Sequence, residues 1–291
     1  MTVALITGSN SGIGRGAAIE LARRGWTVYG SMRSLDKGEK LAALSAEAGV
    51  EVRPVVLDVT DTGSVNAAVA QVTEDSGGID VVINNAGVGG NGVTEECPIE
   101  LYEQVMDANV YGGIRLIQAV LPQMRERGSG TIVNFSSVVG RVAHIAQSPY
   151  YVSKFAVEAM TEGLAQEVAP FGIRVCLIEP GITKSAIFAK NIDATNTTGA
   201  YDQQYGRMFQ FYAAGIPHAT PPEEVGAVIH EAVTTDDYKL RWPVSWGSEM
   251  IEARASLSDE DWVEMGRVDD AEYYARFSDQ LGVDISPQEA G

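Results

Sequence analysis

Short apolar runs alternate with amphipathic stretches from the first residues onward, and this alternation limits what the 291-residue chain can fold into. Val3–Thr7, Thr27–Ser31, Val50–Val59, Asp80–Asn84, Thr131–Phe135 and Ile173–Ile178 have the length and composition of buried strands. Between them lie helical stretches at Gly14–Arg24, Asp36–Ala48, Asp61–Thr73, Pro98 to about Arg127, and Tyr150–Val168. Asp61 or Thr62 suits an N-cap, Pro98 suits a first helical turn, and Gly25 and Gly49 suit helix ends. Leu240–Val244 gives a seventh strand, and Pro243 places it at a sheet edge. Continuous apolar strands separated by helices predict an α/β fold: a doubly wound, mostly seven-stranded parallel sheet with helices on both faces. Such sheets bind ligands beyond the carboxyl ends of their strands.

The pattern breaks over residues 184–217, which are rich in Thr, Asn, Ala and aromatic residues, including Phe188, Tyr201, Tyr205, Phe209, Phe211 and Tyr212. A long irregular stretch in a compact domain predicts a lid or binding segment. A helix start follows at Thr220-Pro221-Pro222-Glu223-Glu224. Residues 256–282 predict acidic helices packed on the outside. No linker composition or internal repeat divides the chain, so residues 1–291 are expected to form one domain, with 184–217 as lid and 256–291 as a helical C-terminal extension.

A formal net charge of −18, concentrated in residues 220–291, argues against nucleic acid or an anionic membrane as partner. No apolar run reaches the ~18 residues of a spanning helix, and no leader-like n-region and h-region precede Thr2–Gly8. Cys97 and Cys176 stand far apart in no metal or redox spacing, as expected of free thiols in a reducing compartment. The expectation is a cytoplasmic protein. His144, His218 and His230 make no ligand spacing, and no Gly-x-Ser-x-Gly elbow is present, which weighs against a zinc enzyme and a hydrolase.

Two motifs carry chemistry. Thr7-Gly8-Ser9-Asn10-Ser11-Gly12-Ile13-Gly14 follows the first strand and opens the first helix. Glycines permit a tight turn, and the helix N-terminus offers free N–H groups to a pyrophosphate, so a dinucleotide site is expected here. Tyr150 stands four residues before Lys154 in a helical stretch, so phenol and ammonium share a face. A nearby cation favours the phenolate, which suits a tyrosine that gives and takes protons. By itself this spacing also fits a structural tyrosine beside a solvated lysine.

Taken with Asn84-Asn85-Ala86-Gly87, Ser137 and Pro180-Gly181, these motifs resemble the short-chain dehydrogenase/reductase family in order and spacing over residues 1–185. The resemblance implies a Rossmann-type domain and a nicotinamide dinucleotide cofactor. It implies Tyr150 as general acid/base, Lys154 on the nicotinamide ribose and lowering the Tyr150 pKa, and Ser137 on the substrate oxygen. Asn109 would bend its helix and help position a water leading to Lys154. Gly8, Asn10, Ser11, Gly12, Ile13 and Gly14 would form the phosphate turn. Asp58 and Val59 would meet the adenine, and Asn85, Ala86 and Gly87 would pack around the adenosine ribose. Pro180, Gly181 and Thr183 would line the nicotinamide.

The second strand ends in Ser31-Met32-Arg33-Ser34 with no acid before Asp36. An acid would bond a ribose 2′-hydroxyl, whereas Arg33 can pair with a 2′-phosphate, so NADP(H) is expected, with NAD(H) the alternative. His144, Phe188, Tyr205 and Phe211 are candidate substrate contacts. The expected activity is NADP(H)-dependent interconversion of a ketone and a secondary alcohol, on an apolar or bulky small molecule. The other readings are a catalytically silent dinucleotide sensor and an NAD(H)-dependent alcohol dehydrogenase. Family members pair through their two long helices, so a homodimer or homotetramer is expected.

Overall fold

The structure, a computed structural model, describes residues 1–185 and 196–287. Seven parallel strands form one sheet in the order β3-β2-β1-β4-β5-β6-β7. They are β1 Val3–Ile6, β2 Thr27–Met32, β3 Val52–Val56, β4 Val81–Asn84, β5 Gly130–Phe135, β6 Ile173–Pro180 and β7 Arg241–Val244. β1 sits where the order reverses, and its Ile6 is level with Gly30 of β2 and Ile83 of β4. The two faces divide residue by residue. Leu5, Val82, Ile132 and Val175 join a core with α3 (Thr62–Ser76), α5 (Gly112–Arg127) and α6 (Ser148–Val168). Ala4, Ile6, Ile83, Val133 and Ile178 point the other way, onto α1 (Gly12–Arg23), α2 (Glu39–Glu47) and the helix Pro222–Thr234. The strands are apolar throughout because both faces are covered.

The long helix expected from Pro98 runs as α4 (Ile99–Met106), a π-helical turn (Asp107–Tyr111) and α5, with Asn109 in the wide turn. Gly112 follows it because a Cβ there would lie 2.8 Å from the Val59 side chain. β7 pairs with β6 and carries Pro243, as its edge position requires.

Two expectations need correction. Residues 184–217 are not irregular throughout: Asp202–Gly215 forms helix α7, burying Tyr205, Met208 and Phe211 along one side. That period is hidden by the aromatic and small residues around it. The C-terminal helices α9 (Met250–Ser256), α10 (Asp259–Met265) and α11 (Asp270–Leu281), numbered after α8 (Pro222–Thr234), are not merely external. Their Met250, Met265, Tyr273, Phe277 and Leu281 share a core with Val138, Ile182 and Phe211. Buried Arg207 of α7 fastens the two regions together. Its Nε donates to Asp270 Oδ1 at 2.8 Å, another nitrogen donates to the Val268 carbonyl at 2.5 Å, and its guanidinium lies 4.1 Å from the Tyr273 ring centroid. Phe188 lies outside the described residues. No helix among the described residues is long and apolar enough to cross a membrane.

Asp61 caps α3: its Oδ1 accepts from Gly63 N at 2.7 Å and Ser64 N at 3.2 Å. Asp61→Ala is expected to cost about 1 kcal/mol, read as a lower denaturant midpoint at unchanged slope; an unchanged midpoint would show that the cap contributes nothing.

Candidate active site

The glycine turn sits where β1 and β4 part. Gly8 and Gly12 have φ of 71° and 53°, in the left-handed region that glycine tolerates. Thr7 Oγ1 accepts from Asn85 N at 3.0 Å and Ala86 N at 2.9 Å, while Asn85 Nδ2 donates to the Thr7 carbonyl at 2.8 Å. Gly14 packs beneath this lock: a Cβ there would come within 2.4 Å of Asn85 Nδ2 and 2.6 Å of the Gly8 carbonyl oxygen. Ser11 occupies the N-cap of α1 without a side-chain cap bond, which leaves the first N–H groups of that helix directed at a cavity of about 450 Å³.

The cavity runs along the carboxyl ends of the strands. At one end its wall includes Gly8, Asn10, Ser11, Gly12 and Ile13. Arg33 and Lys37 stand beside it from the end of β2 and the turn that follows, with Asp58 and Val59 from beyond β3. Burial would push the Asp58 carboxyl up, but bonds from Thr60 N at 3.0 Å and Thr60 Oγ1 at 2.8 Å, together with the positive Arg33, hold it below its ordinary value. Asn85, Ala86 and Gly87 form the middle. Ser137, Tyr150, Lys154, Pro180, Gly181 and Thr183 form the far half. Gly181 passes so close to β7's exit that a Cβ would lie 2.0 Å from the Trp246 carbonyl oxygen. The Thr183 hydroxyl lies 3.1 Å from that of Ser245.

Ser137, two residues past β5, caps a short 3-10 turn (Val138–Gly140); its hydroxyl donates to the Pro180 carbonyl at 3.1 Å. Tyr150 and Lys154 are one turn apart on α6. Lys154 Nζ donates to the Phe135 carbonyl at 2.8 Å and lies 5.5 Å from the Tyr150 ring centroid. Burial pushes the phenol up to about 12, opposed by a hydrogen bond with Ser137. Burial likewise pushes Lys154 down to about 8, opposed by Glu158. Burial is the largest influence on both groups. The ammonium faces the ring and a backbone carbonyl.

Five expected residues, the first being Gly14 beneath the turn, do not reach the wall or are not described. Asn109 stands behind it: its amide accepts from Val88 N at 2.8 Å and donates to the Val88 carbonyl at 2.9 Å and Ser153 Oγ at 3.0 Å. His144 is buried 4.5 Å from the Phe211 ring and pushed down to about 4 by that burial, so it is a neutral packing residue behind the cavity. The Tyr205 hydroxyl accepts from Val93 N at 3.2 Å and donates to Glu96 at 3.2 Å, away from the cavity. Phe188 is not described. Phe211 does line the cavity, with Tyr212 and Trp246. Gln147, Lys37 and Trp246 were not foreseen. Gln147 could have been found, three residues before Tyr150 at the N-cap of α6; Trp246 carries no signal in sequence.

The short chain dehydrogenase family model matches residues 2–196, and the chain belongs to that family of oxidoreductases. A 3-ketodihydrosphingosine reductase from Bacteroides thetaiotaomicron is 36% identical over 83% of this chain and 87% of its own. A short-chain dehydrogenase from Streptomyces avermitilis superposes with a TM-score of 0.78 at 34% identity, over 92% of this chain and 98% of that one. A substituted actinorhodin polyketide ketoreductase, solved with NADPH, gives a TM-score of 0.72 at 31% identity over 85% and 97%.

Gly14→Ala is expected to displace the Asn85 amide and weaken dinucleotide binding by on the order of tenfold or more, since overpacking of this kind costs about 1–3 kcal/mol. Fluorescence titration with the reduced dinucleotide checks it; unchanged affinity at unchanged stability would show that the lock beneath the turn is not needed.

Proposed function

We propose that the protein interconverts a ketone and a secondary alcohol on an apolar or bulky substrate, using NADP(H), with Tyr150 as general acid/base. The observation that carries this reading is that the Ser137 and Tyr150 hydroxyls and Lys154 share one cavity wall with the uncapped start of α1 and with Arg33. The residues present fit a dinucleotide: backbone N–H groups and left-handed glycines for the pyrophosphate, and two cations at the end of β2 for a 2′-phosphate. When bound, the nicotinamide supplies or accepts the hydride.

The chain's own groups do the rest. The Ser137 and Tyr150 hydroxyls hold the substrate oxygen. Tyr150, like any phenol, is protonated at neutral pH, and burial reinforces this, so it can give its proton to the oxygen as negative charge develops there. Lys154 is held by the Phe135 carbonyl close enough to stabilise the phenolate left behind. In the oxidative direction Tyr150 must first lose its proton. Asn109 acts at one remove: it ties the Val88 backbone to Ser153, whose hydroxyl bonds the Tyr150 carbonyl at 2.7 Å. Phe211, Tyr212, Trp246 and Val139 give the substrate end an apolar wall. The names of the relatives, a ketodihydrosphingosine reductase and a polyketide ketoreductase, agree with a large carbonyl substrate. The exposed Tyr111, Val152 and Phe155 on the π-helical turn and α6 support pairing of two copies through these helices.

Tyr150→Phe is expected to lower turnover by about 10²–10⁴-fold or more while leaving dinucleotide affinity nearly unchanged. In the wild type, alcohol oxidation should rise with pH through the alkaline range, because the phenolate is the reactive form, whereas carbonyl reduction should not. A substrate panel followed by NADPH absorbance, with both directions measured against pH, tests this; retained turnover in the variant overturns the assignment. Arg33→Ala should reduce the ratio of NADP(H) to NAD(H) efficiency by about tenfold or more, and an unchanged ratio would remove the case for NADP(H).

A further inference from the structure

Lys154 has a neighbour on its own helix that the reaction above does not use. Glu158 lies one turn further along α6 and is 5% exposed, and Glu179, just before Pro180 in β6, is fully buried. Both acids turn to Arg241, whose Nε is 3.0 Å from Glu158 Oε2 and 3.7 Å from Glu179 Oε1. Arg141, just past the turn that Ser137 caps, reaches Glu179 Oε1 at 3.3 Å. Arg241 thus gathers the two carboxyl groups into one buried cluster. Each keeps one buried oxygen, Glu158 Oε1 and Glu179 Oε2, with no donor among the described residues.

Two ionised carboxylates only accept, so they cannot bond one another. Buried side by side, they also oppose each other's ionisation. One proton held by the pair removes both difficulties: it gives a donor to a cluster whose buried oxygens lack one and leaves a single negative charge. The charged groups facing the pair are Lys154 and Glu162 from α6, Arg141 from the segment after β5, and Arg241 from β7. The arginines favour ionisation of Glu179, but burial first and Glu158 second outweigh them and push it up to about 7.

We propose that Glu158 and Glu179 share one proton at neutral pH, and that this pair is a positioning device holding the Lys154 turn of α6 against the Glu179-Pro180 end of β6. The location gives the pair its leverage. Pro180 accepts the Ser137 hydroxyl, and α6 carries Tyr150 and Lys154, so the shared proton joins the two supports of the site. Gly140 lets them approach: a Cβ there would lie 3.1 Å from the Lys154 carbonyl oxygen and 3.3 Å from Glu158 Cγ. When the proton leaves to solvent, two like charges face each other and the junction loosens. The shared proton rests on the buried Glu158–Arg241–Glu179 cluster and its two orphaned oxygens; its catalytic consequence rests on the proposed roles of Lys154 and Ser137.

The test compares the full-length wild type with Glu179→Gln, Glu158→Gln and Glu179→Leu. A folded chain that holds a proton which the unfolded chain releases loses stability as pH rises between the two pKa values, here from about 4.5 to about 7. Either amide supplies a fixed N–H in place of that proton. The melting temperature of wild type should therefore fall relative to both Gln variants across this window. The infrared band of a buried protonated carboxyl should be present in wild type at neutral pH and absent from Glu179→Gln. Parallel melting curves and no such band overturn the shared proton. For positioning, Glu179→Gln should keep kcat within about threefold at neutral pH, and Glu179→Leu should lose kcat by about tenfold or more with little change in dinucleotide affinity. Equal kcat for the Gln and Leu variants overturns that half. Retained turnover in Tyr150→Phe would instead refute the proposed reaction and leave the melting curves untouched.

Discussion

The lock between Thr7 and Asn85 is the contact on which the cavity depends. A parallel sheet whose order reverses at β1 must let the chain leave β1 and β4 toward opposite faces, and the backbone groups at that parting lose their ladder partners. Thr7 supplies a hydroxyl to two backbone N–H groups, and Asn85 returns its amide to the Thr7 carbonyl. Leaving such groups buried and unpaired would cost about 1–3 kcal/mol each. With them satisfied, the crevice stays open, the glycine turn keeps its shape above Gly14, and α1 begins with its N–H groups facing a ligand site.

The helix α6 is fixed by a second requirement of the same kind. Along one side it buries Ser153, Lys154, Glu158 and Thr161, all polar. Each finds a partner on another element: Asn109, the Phe135 carbonyl, Arg241 and Asn134. Asn134 in turn accepts from Asn84 across the sheet. Buried polar groups are tolerated only when paired, so this seam sets the rotation of α6 and thereby aims Tyr150. The rest of the helix is held by apolar packing at Val157, Leu164 and Val168, which is not directional.

The C-terminal third works differently. Arg207, Phe211 and Phe277 bring α7 and α11 over the end of the cavity that holds Tyr150, and the apolar wall there is shared between segments far apart in sequence. His144 illustrates the consequence. Its place between Ser137 and Tyr150 suggested a substrate contact, but Phe211 and Phe277 enclose it and burial keeps it neutral.

The alternation of apolar strands and helices, the glycine turn, and the four-residue spacing from Tyr150 to Lys154 were legible in sequence, because each depends on local periodicity or on a backbone conformation that glycine alone adopts cheaply. They determined the sheet, its ligand-binding edge and the pairing of phenol with ammonium. What they could not determine is the environment of that pair. Burial raises the tyrosine and lowers the lysine, Asn109 works from behind the wall, and Arg241 gathers Glu158 and Glu179 beside them. Those outcomes belong to the tertiary structure, because desolvation and the choice of hydrogen-bond partner depend on which distant segments close over a group, and sequence spacing carries no record of that.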